Sequence, residues 1–343
     1  MSTNRESTFL ITGASGVIGG ALVELLAGHR IYALGHSKTG AARAGVTWLS
    51  GDIRQPDLGL GADYARIADE VDRVIHVAAM VDFNRDEETI RSINVTGTRN
   101  VLRFCEVAGA GIVHTSSSFV ARAESAKVVT GTGCAGGRDD YLRSKIDGEA
   151  AVRTSGIDYL IARPSLLMGD SATGKIVRHQ GLHTFLGAYV KGALPFVPFS
   201  DTAQVDFLAQ DMVAAALARL ATADLDGAEY WLTAGDNAVA TGEIVALCGE
   251  LYGAAGIELT TPRYFQIEAV QRLILPALGD VLDAKARNKF DNLLAMASLF
   301  TDAPFESSLG KGPFAGIEPT AETARDLLTR TVRAYWLPET VAA

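Results

Sequence analysis

Three glycines, Gly13, Gly16 and Gly19, separate the apolar pentapeptide Thr8-Phe9-Leu10-Ile11-Thr12 from a second apolar run over residues 17–26. This order favours a strand, a glycine turn and a helix. Gly13 supplies the backbone freedom of a tight turn, and Gly19 lets the helix pack closely on the strand. The alternation continues downstream. Short apolar stretches at 31–34, 46–49, 74–77, 112–115 and 159–162 read as strands, and 87–108 and 141–152 read as helices. Ile90, Ile93, Val101, Leu102 and Phe104 are candidate buried residues of the first of those helices. Such alternation builds βαβ units and a parallel sheet covered on both faces. Right-handed crossovers then wind the sheet in both directions, with ligands beyond the carboxyl ends of the strands. The expected class is α/β: a doubly wound parallel sheet (Rossmann fold) with a smaller, mainly helical C-terminal substrate-binding domain.

Past Arg163-Pro164 the pattern changes. Residues 169–175 are polar and turn-rich, 180–192 read as a helix, and 195–198 form an apolar loop bounded by prolines. A helix at 211–220 and a strand at 230–232 follow, then helices at 243–251, 267–275 and 287–300. The expected division is a nucleotide-binding unit over 1–170, which also receives elements from about 200–235, and a lid made of 171–199 and 236–343.

Gly16 lacks a side chain where a pyrophosphate would approach, and the following helix N-terminus offers unpaired N–H groups and partial positive charge. The second strand ends in Ala33-Leu34-Gly35-His36-Ser37-Lys38, with no acid to accept from a ribose diol. His36, Ser37 and Lys38 offer donors and positive charge instead, which favours NADP(H) over NAD. Asp52 and Ile53 after the third strand can reach the adenine, and Ala78 and Ala79 after the fourth are small enough for a close approach.

Residues Tyr141 and Lys145 lie four apart on a helix and so share one face. A phenol titrates near 10, and a neighbouring ammonium favours the phenolate, making proton exchange practicable. Carbonyl reduction needs such a proton at oxygen. A hydroxyl beyond the fifth strand should hold that oxygen, and Thr115-Ser116-Ser117-Ser118 supplies several.

The turn Thr12 to Gly19, Asp52, Asn94-Val95-Thr96-Gly97-Thr98, the serine run, Tyr141 with Lys145, and Arg163-Pro164-Ser165 together resemble the extended short-chain dehydrogenase/reductase superfamily. Finer motifs resemble its thioester-reductase and fatty-acyl-reductase branch. They are Gly51-Asp52-Ile53-Arg54-Gln55-Pro56, His76-Val77-Ala78-Ala79-Met80-Val81-Asp82-Phe83, and Arg163 through Lys175. The resemblance covers roughly residues 8–235. It implies Ser117 as carbonyl orienter (Ser116 its substitute), Tyr141 as acid, Lys145 as tuner and ribose ligand, and Asn94 as a bridge between helix and sheet. The implied dinucleotide contacts are Thr12, Gly13, Ser15, Gly16, Val17, Ile18, Gly19, His36, Ser37, Lys38, Asp52, Ile53, Ala78, Ala79, Met80, Thr115, Tyr141, Lys145, Pro164 and Leu167.

The implied reaction is NADPH-dependent hydride transfer to a carbonyl or a thioester-activated acyl group, on a small-molecule or carrier-bound acyl substrate, with an acyl-carrier protein as a partner. Two rivals share the motifs: a ketoreductase or hydroxysteroid-type dehydrogenase of free small molecules, and a non-catalytic NADP-binding regulator. Substrate contacts are expected from Met80 to Phe83, the loop after Ser118, and residues 174–199. Phe196, Val197 and Phe199 either line an apolar pocket or fill core, and Arg178, His179 and His183 either meet a phosphate or are solvated. The resemblance also admits a monomer or a homodimer, with a seam formed by the 87–108 and 141–152 helices.

The net charge of −9 opposes nucleic-acid binding, which needs a clustered basic footprint. No apolar run is long enough for a membrane span. A polar N-terminus without a signal peptide and three scattered cysteines, Cys105, Cys134 and Cys248, suggest reduced thiols and a cytoplasmic protein, with no metal site.

Overall fold

The computed structural model describes residues 7–36, 40–82, 85–122, 136–179, 181–194, 196–274, 276, 294, 300 and 303–337. Its first half alternates strand and helix: β1 (Thr8–Thr12), α1 (Val17–Leu25), β2 (Arg30–Gly35), β3 (Val46–Ser50), α2 (Tyr64–Ala68), β4 (Arg73–His76), α3 (Glu87–Arg91), α4 (Thr98–Ala108), β5 (Gly111–Thr115), α5 (Gly136–Arg153) and β6 (Tyr159–Pro164). The second half holds β7 (Leu166–Met168), α6 (Leu182–Val190), β8 (Phe196–Val197), β9 (Gln204–Val205), β10 (Phe207–Ala209), α7 (Gln210–Ala221), β11 (Glu229–Leu232), β12 (Val239–Ala240), α8 (Thr241–Ala254), β13 (Arg263–Tyr264) and α9 (Ala321–Tyr335).

Seven strands form one sheet in the order β11-β6-β5-β4-β1-β2-β3. Every pairing within it is parallel. The expected doubly wound α/β class is therefore the observed one. The chain runs outward in one direction through β1, β2 and β3, then returns to β4 on the other side of β1, and this reversal opens a crevice at the carboxyl ends of β1 and β4. Both faces are covered, as parallel strands require. Ile11, Leu22, Ile75 and Val113 meet Val213 and Leu217 of α7 on one face, while Leu10, Val74 and Ile112 meet Val101 and Phe104 of α4 on the other. A further core joins Met168, Phe185, Val197, Phe199 and Val205 to α8 and α9. Val197 and Phe199 are thus core residues rather than pocket walls.

The expected continuous helix over 87–108 is interrupted by a π-helical stretch, Ser92–Gly97, between α3 and α4. Such π-helical insertions are frequent at functional sites, and Asn94 lies within this one. The expected 267–275 helix begins as the short Ile267–Ala269 segment and continues as a π-helical turn over Val270–Ile274. The expected 287–300 helix lies outside the described residues save Leu294 and Phe300. Ser37, Lys38, Phe83, Cys134 and Pro195 also lie outside them. The parallel β7–β10 pair and α9 were not anticipated. Among the described residues no helix is long and apolar enough to cross a membrane. No group of metal-ligating side chains occurs among them either.

Candidate active site

At the carboxyl end of β1, Gly13 takes a left-handed φ of +70°. A Cβ there would lie 2.7 Å from the Ala78 amide, and one at Gly19 would lie 2.2 Å from the Gly13 carbonyl oxygen. Any side chain at either position would displace the turn. Gly16, the residue before α1, is exposed, and a Cβ there would meet only the Gly13 oxygen, at 3.1 Å. No side chain caps the N-terminus of α1. An open glycine cradle facing uncapped N–H groups fits a dinucleotide pyrophosphate. Thr12 stitches the crevice together: its hydroxyl lies 2.7 Å from His76 Nδ1 and accepts from the Ala78 amide at 3.3 Å. Ser15, Val17 and Ile18 complete the turn, with Ile18 in the core behind it. Ile53 packs against Gly97, and its carbonyl accepts from Asn100 Nδ2 at 2.9 Å.

Across the crevice, α5 carries Tyr141 and Lys145, both buried. The phenol of Tyr141 lies beside the Ser117 hydroxyl. Lys145 donates to the Thr115 carbonyl oxygen at 3.0 Å. Of the four hydroxyls in the run, Ser117 is the one beside the phenol, whereas Ser116 lies alongside the Glu149 carboxylate. Burial pushes the Tyr141 phenol above its ordinary range, and the Ser117 hydroxyl pulls it partly back. The expected lowering by Lys145 is not seen, because its ammonium is directed at a carbonyl. Burial lowers Lys145 to about 8, against the opposing field of Glu149. The arrangement presents a protonated phenol and a serine hydroxyl side by side, backed by a titratable ammonium.

Asn94, placed by the π-helical stretch, takes the expected bridging position. It accepts from the Met80 amide at 2.7 Å and donates to the Met80 carbonyl at 3.0 Å. It also donates to Ser144 Oγ at 2.9 Å, and that hydroxyl donates to the Tyr141 carbonyl at 2.7 Å. The turn after β4, which carries Ala78, Ala79 and Met80, is thereby locked to α5. Beneath it His76 Nε2 lies 3.1 Å from Thr98 Oγ1, and His114 stands beside it with ring centroids 5.3 Å apart. Burial holds His76 down to about 3 and His114 well below its ordinary value, so both are neutral.

Several neighbours were not foreseen. Glu149, one turn beyond Lys145, is buried among Arg163, Arg153 and Glu229. The Arg163 guanidinium also sits 4.5 Å over the Trp231 ring. Phe119 and Phe305 pack with Leu142 and Leu166 against Tyr141, giving the phenol an apolar wall. Leu166 belongs to that wall, and the neighbouring Leu167 packs against the core that includes α7. Pro164 ends β6 opposite Leu232. Phe305 is delivered by a segment whose Ser308 amide bonds the Trp231 carbonyl at 2.8 Å and whose Ser307 hydroxyl bonds the Thr233 carbonyl at 2.8 Å. Arg122 lies 4.2 Å over the Phe305 ring. Only Glu149 had a local sequence signal, its helical spacing from Lys145. His183 is not a surface group: it is buried, stacked on His179 and flanked by Tyr335 and Trp336 of the C-terminal region. Burial lifts the Cys105 and Cys248 thiols to about 12, which leaves them protonated and inert.

The sequence pattern of the family described as male sterility protein matches residues 11–217. Sterol demethylase protein B of Methylococcus capsulatus is 30% identical over 226 residues, covering 60% of this chain and 66% of that protein. Trichosetin synthetase PKS-NRPS1 of Gibberella fujikuroi is 29% identical over 161 residues, 44% of this chain and 4% of the synthetase. The chain thus spans just under two thirds of the first relative and a small part of the second. Among solved structures, the terminal R domain from the myxalamid PKS-NRPS pathway superposes with a TM-score of 0.69 at 22% identity, covering 97% of this chain and 91% of that one. Bordetella bronchiseptica WbmH, in complex with NAD+, superposes at 0.64 with 20% identity, covering 96% and 99%. These structural likenesses establish the fold.

Proposed function

The chain belongs to the family described as male sterility protein, an extended short-chain dehydrogenase/reductase lineage with a nicotinamide-dinucleotide-binding domain, and on that premise we propose that it is an NADPH-dependent reductase of a carbonyl or thioester-activated acyl group. The observation that carries this reading is the Ser117 hydroxyl beside the Tyr141 phenol, with Lys145 buried one turn along the same helix. The dinucleotide, held by the Gly13–Gly19 turn and by the loops after β2, β3 and β4, supplies hydride when bound. Ser117 and Tyr141 hold the substrate oxygen, and the phenol, kept protonated by burial, gives its proton as charge develops there. The Lys145 ammonium, fixed by the Thr115 carbonyl, is placed to hold the nicotinamide ribose. Phe119 and Phe305 exclude water from the apolar side of the site.

A carrier-bound acyl thioester is the preferred substrate. Its support is the family, together with relatives that are PKS-NRPS synthetases and a fold shared with a terminal R domain. Hydride addition to the thioester carbon and protonation at oxygen give a hemithioacetal, whose C–S bond breaks to release thiol and aldehyde. NADPH consumption with acyl-carrier and acyl-CoA thioesters, measured beside free ketones and aldehydes, tests this; turnover of ketones alone overturns it. A second reading, reduction of a free sterol-class ketone, is favoured by one observation. The chain covers 66% of Sterol demethylase protein B but only 4% of the synthetase.

A further inference from the structure

His36 directly follows β2, and its Nε2 lies 3.7 Å from Asp52 Oδ2 in the turn after β3. The two loops are held in contact by the Gly51 amide, which donates to the Gly35 carbonyl at 3.0 Å. Arg54 closes on the same carboxylate. Its Nε lies 3.0 and 2.9 Å from the two oxygens, its Nη2 lies 2.6 Å from Oδ2, and its own amide lies 2.9 Å from Oδ1. The acceptor positions of Asp52 are thereby taken. Arg54 Nη1, on a side chain 45% exposed, has no hydrogen-bond partner among the described residues.

Beyond the second strand of such a sheet lies the adenosine ribose, where an acid accepts from a 2′,3′-diol and an arginine accommodates a 2′-phosphate. This chain has no acid at the end of β2. The carboxylate that reaches His36 is Asp52, and it is masked by Arg54. What the site turns outward is donors. A guanidinium fixed on one edge and free on the other suits a phosphate ester, because little side-chain freedom is lost on binding.

We infer that Arg54 is the residue that selects a 2′-phosphate, with Asp52 as the positioning residue that fixes its guanidinium and His36 as a second donor. The inference rests on the NADPH reading above and assigns the discrimination to a residue of the β3 turn. Removing Arg54 takes away a charged donor and also unmasks a carboxylate suited to a diol. The nucleotide preference should therefore invert rather than only weaken.

The test is equilibrium binding, read by nicotinamide fluorescence, of NADPH and NADH to the wild type, Arg54→Ala and Arg54→Lys, with 2′,5′-ADP and 5′-AMP as competitors. Losing one charge-assisted bond should weaken NADPH and 2′,5′-ADP by roughly 10- to 100-fold in Arg54→Ala. NADH should bind that variant as tightly as the wild type or more so, and Arg54→Lys should recover part of the preference. If the wild type prefers NADPH and Arg54→Ala keeps the same ratio, the role of Arg54 is overturned and the NADPH reading stands. If the wild type prefers NADH, the NADPH reading itself fails. Should Arg54→Ala bind neither nucleotide, Arg54→Gln decides by the same ratio.

Discussion

Arg163 grips both oxygens of Glu149, with its Nε 2.8 Å from one and its Nη2 2.8 Å from the other. This pair ties β6 to α5 one turn from Lys145, and Arg153 and Glu229 extend it toward the sheet edge. Its consequences are both structural and electrostatic. Breaking a buried pair by removing one charge leaves the other uncompensated, at a cost of about 3–5 kcal/mol. Glu149→Gln should lose about 3 kcal/mol in urea unfolding, because Glu229 still meets part of the Arg163 charge. The same variant removes the field that raises Lys145, so the alkaline limb of activity should move to lower pH. Unchanged stability would mean that the network adds nothing to the fold.

Tyr141→Phe removes the phenolic proton and keeps the ring that packs on Phe119 and Phe305. General acid catalysis contributes about 10²–10⁴-fold. Reductase turnover should fall by about that factor while NADPH binding, followed by fluorescence, stays within roughly threefold. A near-normal rate would take Tyr141 out of the reaction.

The profile of kcat/KM against pH reports groups in the free enzyme. Lys145 titrates at about 8 there, lowered from 10.5 by burial. Its charge is present below that pH and is lost as pH rises through it, so kcat/KM for NADPH should decline above about pH 8. Lys145→Met should abolish both the limb and most of the activity. A profile flat to pH 10 would contradict the role given to the ammonium.

His76 and His114 are buried and neutral, with His76 held down to about 3 and His114 well below 6.5 by burial. Between about pH 6.5 and 3 the unfolded chain binds protons that the folded one does not, so stability falls as pH falls across that window. Each histidine should cost about 2 kcal/mol at pH 5 relative to neutral pH. Urea midpoints at pH 7 and pH 5 measure the loss, and His114→Gln should remove roughly half of it. Equal midpoints for the wild type at both pH values would show that these rings are not buried neutral.

The strand–turn–helix start, the parallel sheet and the shared face of Tyr141 and Lys145 were legible in the sequence because each follows from local periodicity and from backbone freedom at Gly13 and Gly19. Even α9 carries a local mark, the reciprocal cap between Thr320 and Thr323. Contacts at long separation were a different matter. Nothing local distinguishes the hydroxyls beyond β5, so only the packed sheet decides that Ser117 lies beside the phenol while Ser116 lies beside Glu149. Arg54 reads as one more surface charge until its turn folds back on Asp52 beside His36. Phe305 reaches Tyr141 only because its segment docks along β11. The amino-acid pattern by itself determined the alternation of strand and helix and the doubly wound parallel class, while the strand order came from the folded sheet. The direction of each hydroxyl and the masking of each charge belong to the tertiary structure, because they depend on which distant backbone each side chain packs against.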